Sequence, residues 1–119
     1  MSKRMVLVRR VYEDLGRHGD VRVLVDRIWP RGVTKERADL DEWCKDIAPS
    51  TALRKWYGHD PKLFKEFTRR YRAQLKDQER AEAFKHLEDL AKHGTLTLLT
   101  ATKDPDISEA AVLADLLRG

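Results

Sequence analysis

From Val21 to Ile28, Val21, Val23 and Val25 alternate with Arg22, Leu24 and Asp26. A period of two predicts a strand with one strongly apolar face. Met5 to Val11 is apolar and β-branched apart from Arg9-Arg10, and predicts a first strand. Between them, Glu13 to Asp20 is a polar loop with glycines. Thr95 to Thr102 predicts a third strand. It is apolar on both faces around Leu96, Leu98 and Leu99, as suits a central strand of a parallel sheet.

Elsewhere the period is helical. Leu40, Trp43, Cys44 and Ile47 predict a short amphipathic helix, ended by Pro49-Ser50. Ser50 or Thr51 caps the next turn, which carries Leu53 and Trp56. Asp60 reads as an N-cap with Pro61 at the first helical position, where a missing N–H does no harm. Leu63, Phe64, Phe67, Tyr71 and Leu75 mark one long helix. Asp77 caps another, with Ala81, Phe84, Leu87, Leu90 and Ala91 inward. His93-Gly94 predicts its end, with Gly94 in the left-handed conformation. After Asp104-Pro105-Asp106, the residues Ala110, Leu113, Ala114 and Leu117 define a final helix. The helical stretch between the second and third strands allows a right-handed parallel crossover. The expected fold is a small three-layer α/β sandwich, a short, mostly parallel sheet with helices on both faces.

At 119 residues the chain is long enough for one core, so 1–119 is expected to be a single α/β domain. Apolar residues at 41% and charged residues at 37% exclude disorder and describe a soluble globular protein. The net charge of +4 is mild, and acids are interspersed with bases, so anionic partners are favoured without nucleic acid being required. Cys44 is the only cysteine, which excludes a disulfide framework and a thiolate-rich metal site. Its place on an apolar stripe suggests an inert core thiol in a reducing compartment. The apolar run after Lys3 and Arg4 is too short for a signal peptide, and none approaches the ~20 residues that span a bilayer. A cytoplasmic protein with no membrane partner is expected.

Candidate chemistry concentrates in Val25-Asp26-Arg27-Ile28-Trp29-Pro30-Arg31-Gly32, where a strand runs into a stiff loop. In open parallel sheets, ligands bind beyond the carboxyl ends of the strands. If the strands are parallel, Asp26-Arg27 and Lys103-Asp104 project from one edge, joined by the loop from Tyr12 to Asp20. Arg27 and Arg31 bring planar forks that hold carboxylate or phosphate. Trp29 offers a flat face. The competing account is a structural ion-pair network, with Asp26 paired to Arg27, Arg31 or Lys103 and Trp29 in the core. Trp56-Tyr57-Gly58-His59-Asp60 is a second cluster, able to hold a substrate and move a proton. There Asp60 reads as a cap, Trp56 as wall or core, and His59 as proton carrier or turn residue.

Other signatures are missing. Ser50 stands six residues after Cys44, where a cysteine phosphatase loop carries arginine. No Gly-rich phosphate loop or Gly-x-Ser-x-Gly elbow occurs. The histidines 18, 59, 86 and 93 lack zinc-ligand spacing. No metal and no cofactor are implied.

Four segments resemble the YeaO-like family, a branch of the bacterial domain of unknown function 488. They are 25–32, 48–59 with Ala48-Pro49-Ser50 and Leu53 to His59, 67–71, and 96–104. The resemblance implies a compact bacterial, cytoplasmic α/β domain and supplies no activity. Asp26, Arg27, Trp29, Arg31, Trp56, His59, Lys103 and Asp104 match its pattern. A histidine common just after the Lys-Asp segment is replaced here by Ile107.

The leading expectation is a protein that binds, or acts on, an anionic small molecule such as a nucleotide, phosphate ester or carboxylate. Arg27, Arg31 and Lys103 would hold the anion. Asp26, Asp104 or His59 would transfer any proton, and Trp29 or Trp56 would form an apolar wall. The alternative is a nucleic-acid-binding or protein-interaction module that uses the basic face of the long helix, with Lys62, Lys65, Arg69, Arg70 and Arg72. Ordinary pairing of Glu66 with Arg70 offers a third account of that face.

Overall fold

The computed structural model describes residues 5–13 and 19–119. Four parallel strands form one sheet: β1 (Val6–Arg10), β2 (Val21–Leu24), β3 (Glu42–Trp43) and β4 (Leu96–Thr100), in the order β1-β4-β2-β3. The helices are α1 (Lys35–Ala38), α2 (Thr51–Tyr57), α3 (Phe64–Gln74), α4 (Gln78–His93) and α5 (Glu109–Arg118). This is a small α/β fold. Most of the polar loop expected over Glu13 to Asp20 lies outside the described residues.

All five residues of β4 are buried, as its two-faced apolar pattern requires of a central strand. Each fully buried leucine there contributes about 1.5–3 kcal/mol. Val6, Val23, Leu96 and Leu98 share one face with Phe67, Tyr71, Leu87, Ala91, Ala110 and Leu113 of α3, α4 and α5. On the opposite face, buried Arg22 donates from Nε to Asp39 O at 2.9 Å and from Nη2 to Ala38 O at 3.1 Å. It thereby fastens the C-terminus of α1 over that side of the sheet. The Arg118 guanidinium similarly ties the end of α5 to Val6 O at the start of β1.

The caps follow the sequence. Ser50 and Asp77 accept the N–H groups of Leu53 and Arg80, and Asp60 accepts that of Lys62 with Pro61 following. At the last helix, Asp104-Pro105-Asp106 leads into a 3-10 turn (Pro105–Ile107), and Ser108, which the sequence reading did not single out, accepts the Ala111 N–H as the cap of α5. Two expectations fail. Residues 40–47 are not a helix: Asp41 N–H and Cys44 N–H donate to Arg22 O and Leu24 O, forming the edge strand β3, and a 3-10 turn follows at Lys45–Ile47. Backbone pairing along an open sheet edge outcompetes a short helix whose apolar stripe fits either conformation. Gly94 is extended (φ 166°) rather than left-handed, because the chain runs directly from α4 into β4. His93 instead covers a helix-end carbonyl through its Nδ1 contact to Asp89 O.

Candidate functional site

Because the strands are parallel, the segments leaving β1, β2 and β4 emerge at one edge, where a cavity of about 380 Å³ opens. Tyr12 follows β1, Asp26 to Arg31 follow β2, and Ala101 and Thr102 follow β4. Arg54, Tyr57 and His59 come from α2 and its exit turn, Phe67 from α3 and Glu109 from the first turn of α5.

Asp26 lies at the junction of β2 and β4. Its Oδ1 accepts the Thr100 hydroxyl at 2.8 Å and its Oδ2 the Ala101 N–H at 2.7 Å. Beside it, the Glu109 carboxyl is buried and hydrogen-bonded to it. Desolvation first, and then this bond and the Asp26 charge, push the Glu109 carboxyl well above the usual carboxylate range. The Glu109 carboxyl thus holds its proton more firmly than a free one, and the Arg54 charge partly opposes that shift.

The loop after β2 is held by its own aromatic rings. Trp29 Nε1–H donates to Val33 O at 2.7 Å, and Trp43 Nε1–H donates to Asp26 O at 2.7 Å. The two indoles meet edge to face at 5.4 Å between centroids. Pro30 is buried, and Gly32 (φ 76°) occupies the left-handed position of the turn closed by Val33 N–H and Pro30 O. Arg27 and Arg31 are exposed and Arg54 is half-buried. Among the described residues, no carboxylate lies within ion-pair distance of these three guanidinium groups. Asp26 is thus held by β4 and Glu109, and among the described residues no ion pair joins it to Arg27, Arg31 or Lys103.

The cavity gathers Asp26, Arg27, Trp29, Arg31 and His59 of the sequence candidates. His59 is exposed at the rim in a left-handed conformation (φ 57°), its ring 5.6 Å from that of Tyr57. Trp56, Lys103 and Asp104 do not line it. Trp56 is neither core nor cleft wall: it lies on the outer side of α2 under the Arg70 guanidinium, 4.0 Å from its ring centroid. Lys103 and Asp104 follow β4 at the same edge but are exposed, and Ala101 and Thr102 take the lining positions.

Sequence reasoning missed Arg54 and Glu109, and it named Tyr57 only within the second cluster. Tyr57 stacks on Phe67 at 4.1 Å and donates its hydroxyl to Ile107 O at 2.7 Å. Burial, and next the Asp104, Asp60 and Glu109 charges, raise its phenol to about 12. Glu109 precedes the buried Val112 and Leu113 by three and four residues, a spacing that puts it on the inward stripe of α5.

A larger, more open groove of about 970 Å³ runs along α3. Lys62, Lys65, Arg69, Arg72 and Lys76 line it, above Leu75, Phe84 and Leu116. Glu66 accepts from both Arg69 and Arg70, whose guanidinium groups hold its carboxyl down near 2.

Fold and cleft together define a small parallel α/β fold with an arginine-lined cavity at the carboxyl edge of its sheet. The chain belongs to the family described as the inactive DUF488-N3 subclade, which matches residues 5–119. It is 47% identical over 114 residues to an uncharacterised protein of Mycobacterium tuberculosis, covering 96% of this chain and 94% of that one. It is also 43% identical over 110 residues to the uncharacterised protein YeaO of Escherichia coli, covering 92% and 94%. No solved structure matches the chain. Among the described residues, no helix is long and apolar enough to cross a membrane.

Proposed function

We propose that the cleft beyond the carboxyl ends of β2 and β4 binds an anionic small molecule, such as a nucleotide, phosphate ester or carboxylate. The observation that carries this is the set of three guanidinium groups, Arg27, Arg31 and Arg54, lining one cavity without carboxylate partners among the described residues. Planar forks of this kind hold oxyanions with two parallel hydrogen bonds. Trp29 supplies an apolar wall beside them. Asp26 and His59 are the groups within the cleft able to move a proton. The family's description as inactive favours binding over turnover. The buried free Cys44 fits a reducing compartment, which supports a cytoplasmic setting.

Thermal-shift screening of a metabolite panel tests the proposal, with Arg31→Ala as control. A ligand at a hundred times its Kd stabilises by about 2.7 kcal/mol. The shift is expected in the wild type and is expected to shrink in Arg31→Ala. An equal shift in the variant would remove Arg31 from the site.

A second reading rests on the α3 groove, whose cations could track the phosphates of a nucleic acid or meet an acidic protein. Its test is retention of single- or double-stranded DNA or RNA over rising salt. Wild-type retention that falls with salt and is reduced further by Lys62→Glu with Arg72→Glu supports it. No retention at low salt removes the nucleic-acid arm.

A further inference from the structure

The cationic mouth and the acidic interior of the cleft call for different groups on one ligand. We propose that the cleft selects an anion that also carries hydroxyl groups, with its charged end at Arg27 and Arg31 and a hydroxyl at the Asp26–Glu109 pair. This rests on the anion-binding reading above and names the ligand class for the same site.

Three observations carry it. First, Asp26 and Glu109 line the same cavity as the arginines, yet they sit deeper: Arg27 and Arg31 are exposed, Asp26 is half-buried and Glu109 is 9% exposed. A ligand spanning the cavity would therefore meet cations first and carboxyl oxygens last.

Second, the interior pair retains acceptor capacity. An ionised carboxylate offers about four lone-pair directions. Asp26 uses two on Thr100 and Ala101 and a third on the Glu109 carboxyl. One remains, and the Glu109 carboxyl, which already accepts its own backbone N–H, adds at most one more. A ligand hydroxyl entering here finds acceptors already oriented by backbone and side-chain bonds, so little ordering is required on binding.

Third, the charge balance favours a neutral donor over an ammonium group. Arg27, Arg31 and Arg54 line the same cavity as the two carboxyl groups. Three guanidinium groups against two carboxyl groups disfavour a cationic ligand group. The cavity of about 380 Å³ lies at the small end of ligand sites and suits a compact phosphate ester or hydroxy acid.

The test is calorimetric titration of the whole chain with inorganic phosphate, n-propyl phosphate and glycerol 3-phosphate. The two esters have similar size and the same charge, and differ in hydroxyl groups. A hydroxyl matched to a charged acceptor is worth roughly tenfold to a hundredfold in affinity, and glycerol 3-phosphate is expected to bind tighter than propyl phosphate by that factor. Glu109→Ala is expected to erase this preference. Glu109→Gln, which keeps a donor to Asp26 and a carbonyl oxygen, is expected to retain most of it. If both esters bind equally, the hydroxyl selection is overturned and the anion-binding reading stands. If none of the three ligands binds, both are overturned. A preference unchanged in a folded Glu109→Ala overturns the role of the pair. The ester comparison on the unaltered chain decides even if that variant does not fold.

Discussion

The Asp26 carboxylate and the Ala101 backbone N–H, 75 residues apart in sequence, lie 2.7 Å apart in space. With the Thr100 hydroxyl on its other oxygen, Asp26 bolts the exit of β2 to the exit of β4. Hydrogen bonds to a charged acceptor contribute about 1.5–3 kcal/mol each. Asp26→Ala is therefore expected to lower stability by about 2–4 kcal/mol in urea unfolding. A cost under about 0.5 kcal/mol, the usual size of a plain surface change, would contradict this account of the junction.

Arg27 and Arg31 present the reverse case. They lie on the same loop but have no ion pair among the described residues. Replacing either by alanine is expected to change unfolding stability by no more than about 0.5 kcal/mol. A structural network would lose far more, so the same urea series separates residues kept for a ligand from residues kept for the fold.

Glu109 should leave a signature in pH. Burial, and then the Asp26 neighbour, raise its folded value well above the ordinary carboxyl value, so the folded state keeps a proton that the unfolded chain sheds. Stability from this group is fully present below the unfolded value of about 4.3 and is lost as pH rises toward the folded one. Glu109→Gln carries no such proton. Its stability relative to wild type is expected to improve with pH, by up to about 1.4 kcal/mol per unit within that window. Parallel stability curves from about pH 5 to 7 would contradict the assignment.

Tyr71 is fully buried and donates its hydroxyl to Ile47 O at 2.5 Å. Tyr71→Phe keeps the ring but leaves that carbonyl without this donor, at an expected cost of about 1–3 kcal/mol. Desolvation also holds the Tyr71 phenol well above 10. Alkaline titration followed by phenolate absorbance is expected to show it ionising only as the chain unfolds.

The Cys44 thiol is raised to about 11, by burial first and then by the Glu42 charge. It is expected to react with a disulfide reagent at neutral pH only on unfolding. Rapid labelling of the folded chain would place it at an exposed surface instead.

Much of the fold could be read from the chain because long patterns left little choice. The stripe from Leu63 to Leu75 and the doubly apolar β4 each admit one conformation in a parallel sandwich. Residues 40–47 were different. Their apolar spacing fits a helix, but Cys44 and Ile47 are equally well buried beyond a two-residue edge strand, and only the open edge of β2 decides between these. Site legibility divides similarly. Asp26, Arg27, Trp29 and Arg31 are contiguous and chemically unusual, so they stand out. Glu109 sits in a helix first turn, where an acid is unremarked, and its role depends on the distant Asp26. Trp56 misled because its helical position fits core or cleft, and the Arg70 contact that holds it outside is tertiary.

The two-residue length of β3 also bears on how these molecules behave together. It is the outer strand on one side of the sheet, too short to offer a run of free backbone groups to another chain. On the far side, β1 carries exposed Arg9 and neighbouring Arg10, whose charges oppose stacking of like edges. A sheet guarded at both margins can hold a leucine-rich central strand at high concentration without recruiting its neighbours into fibres.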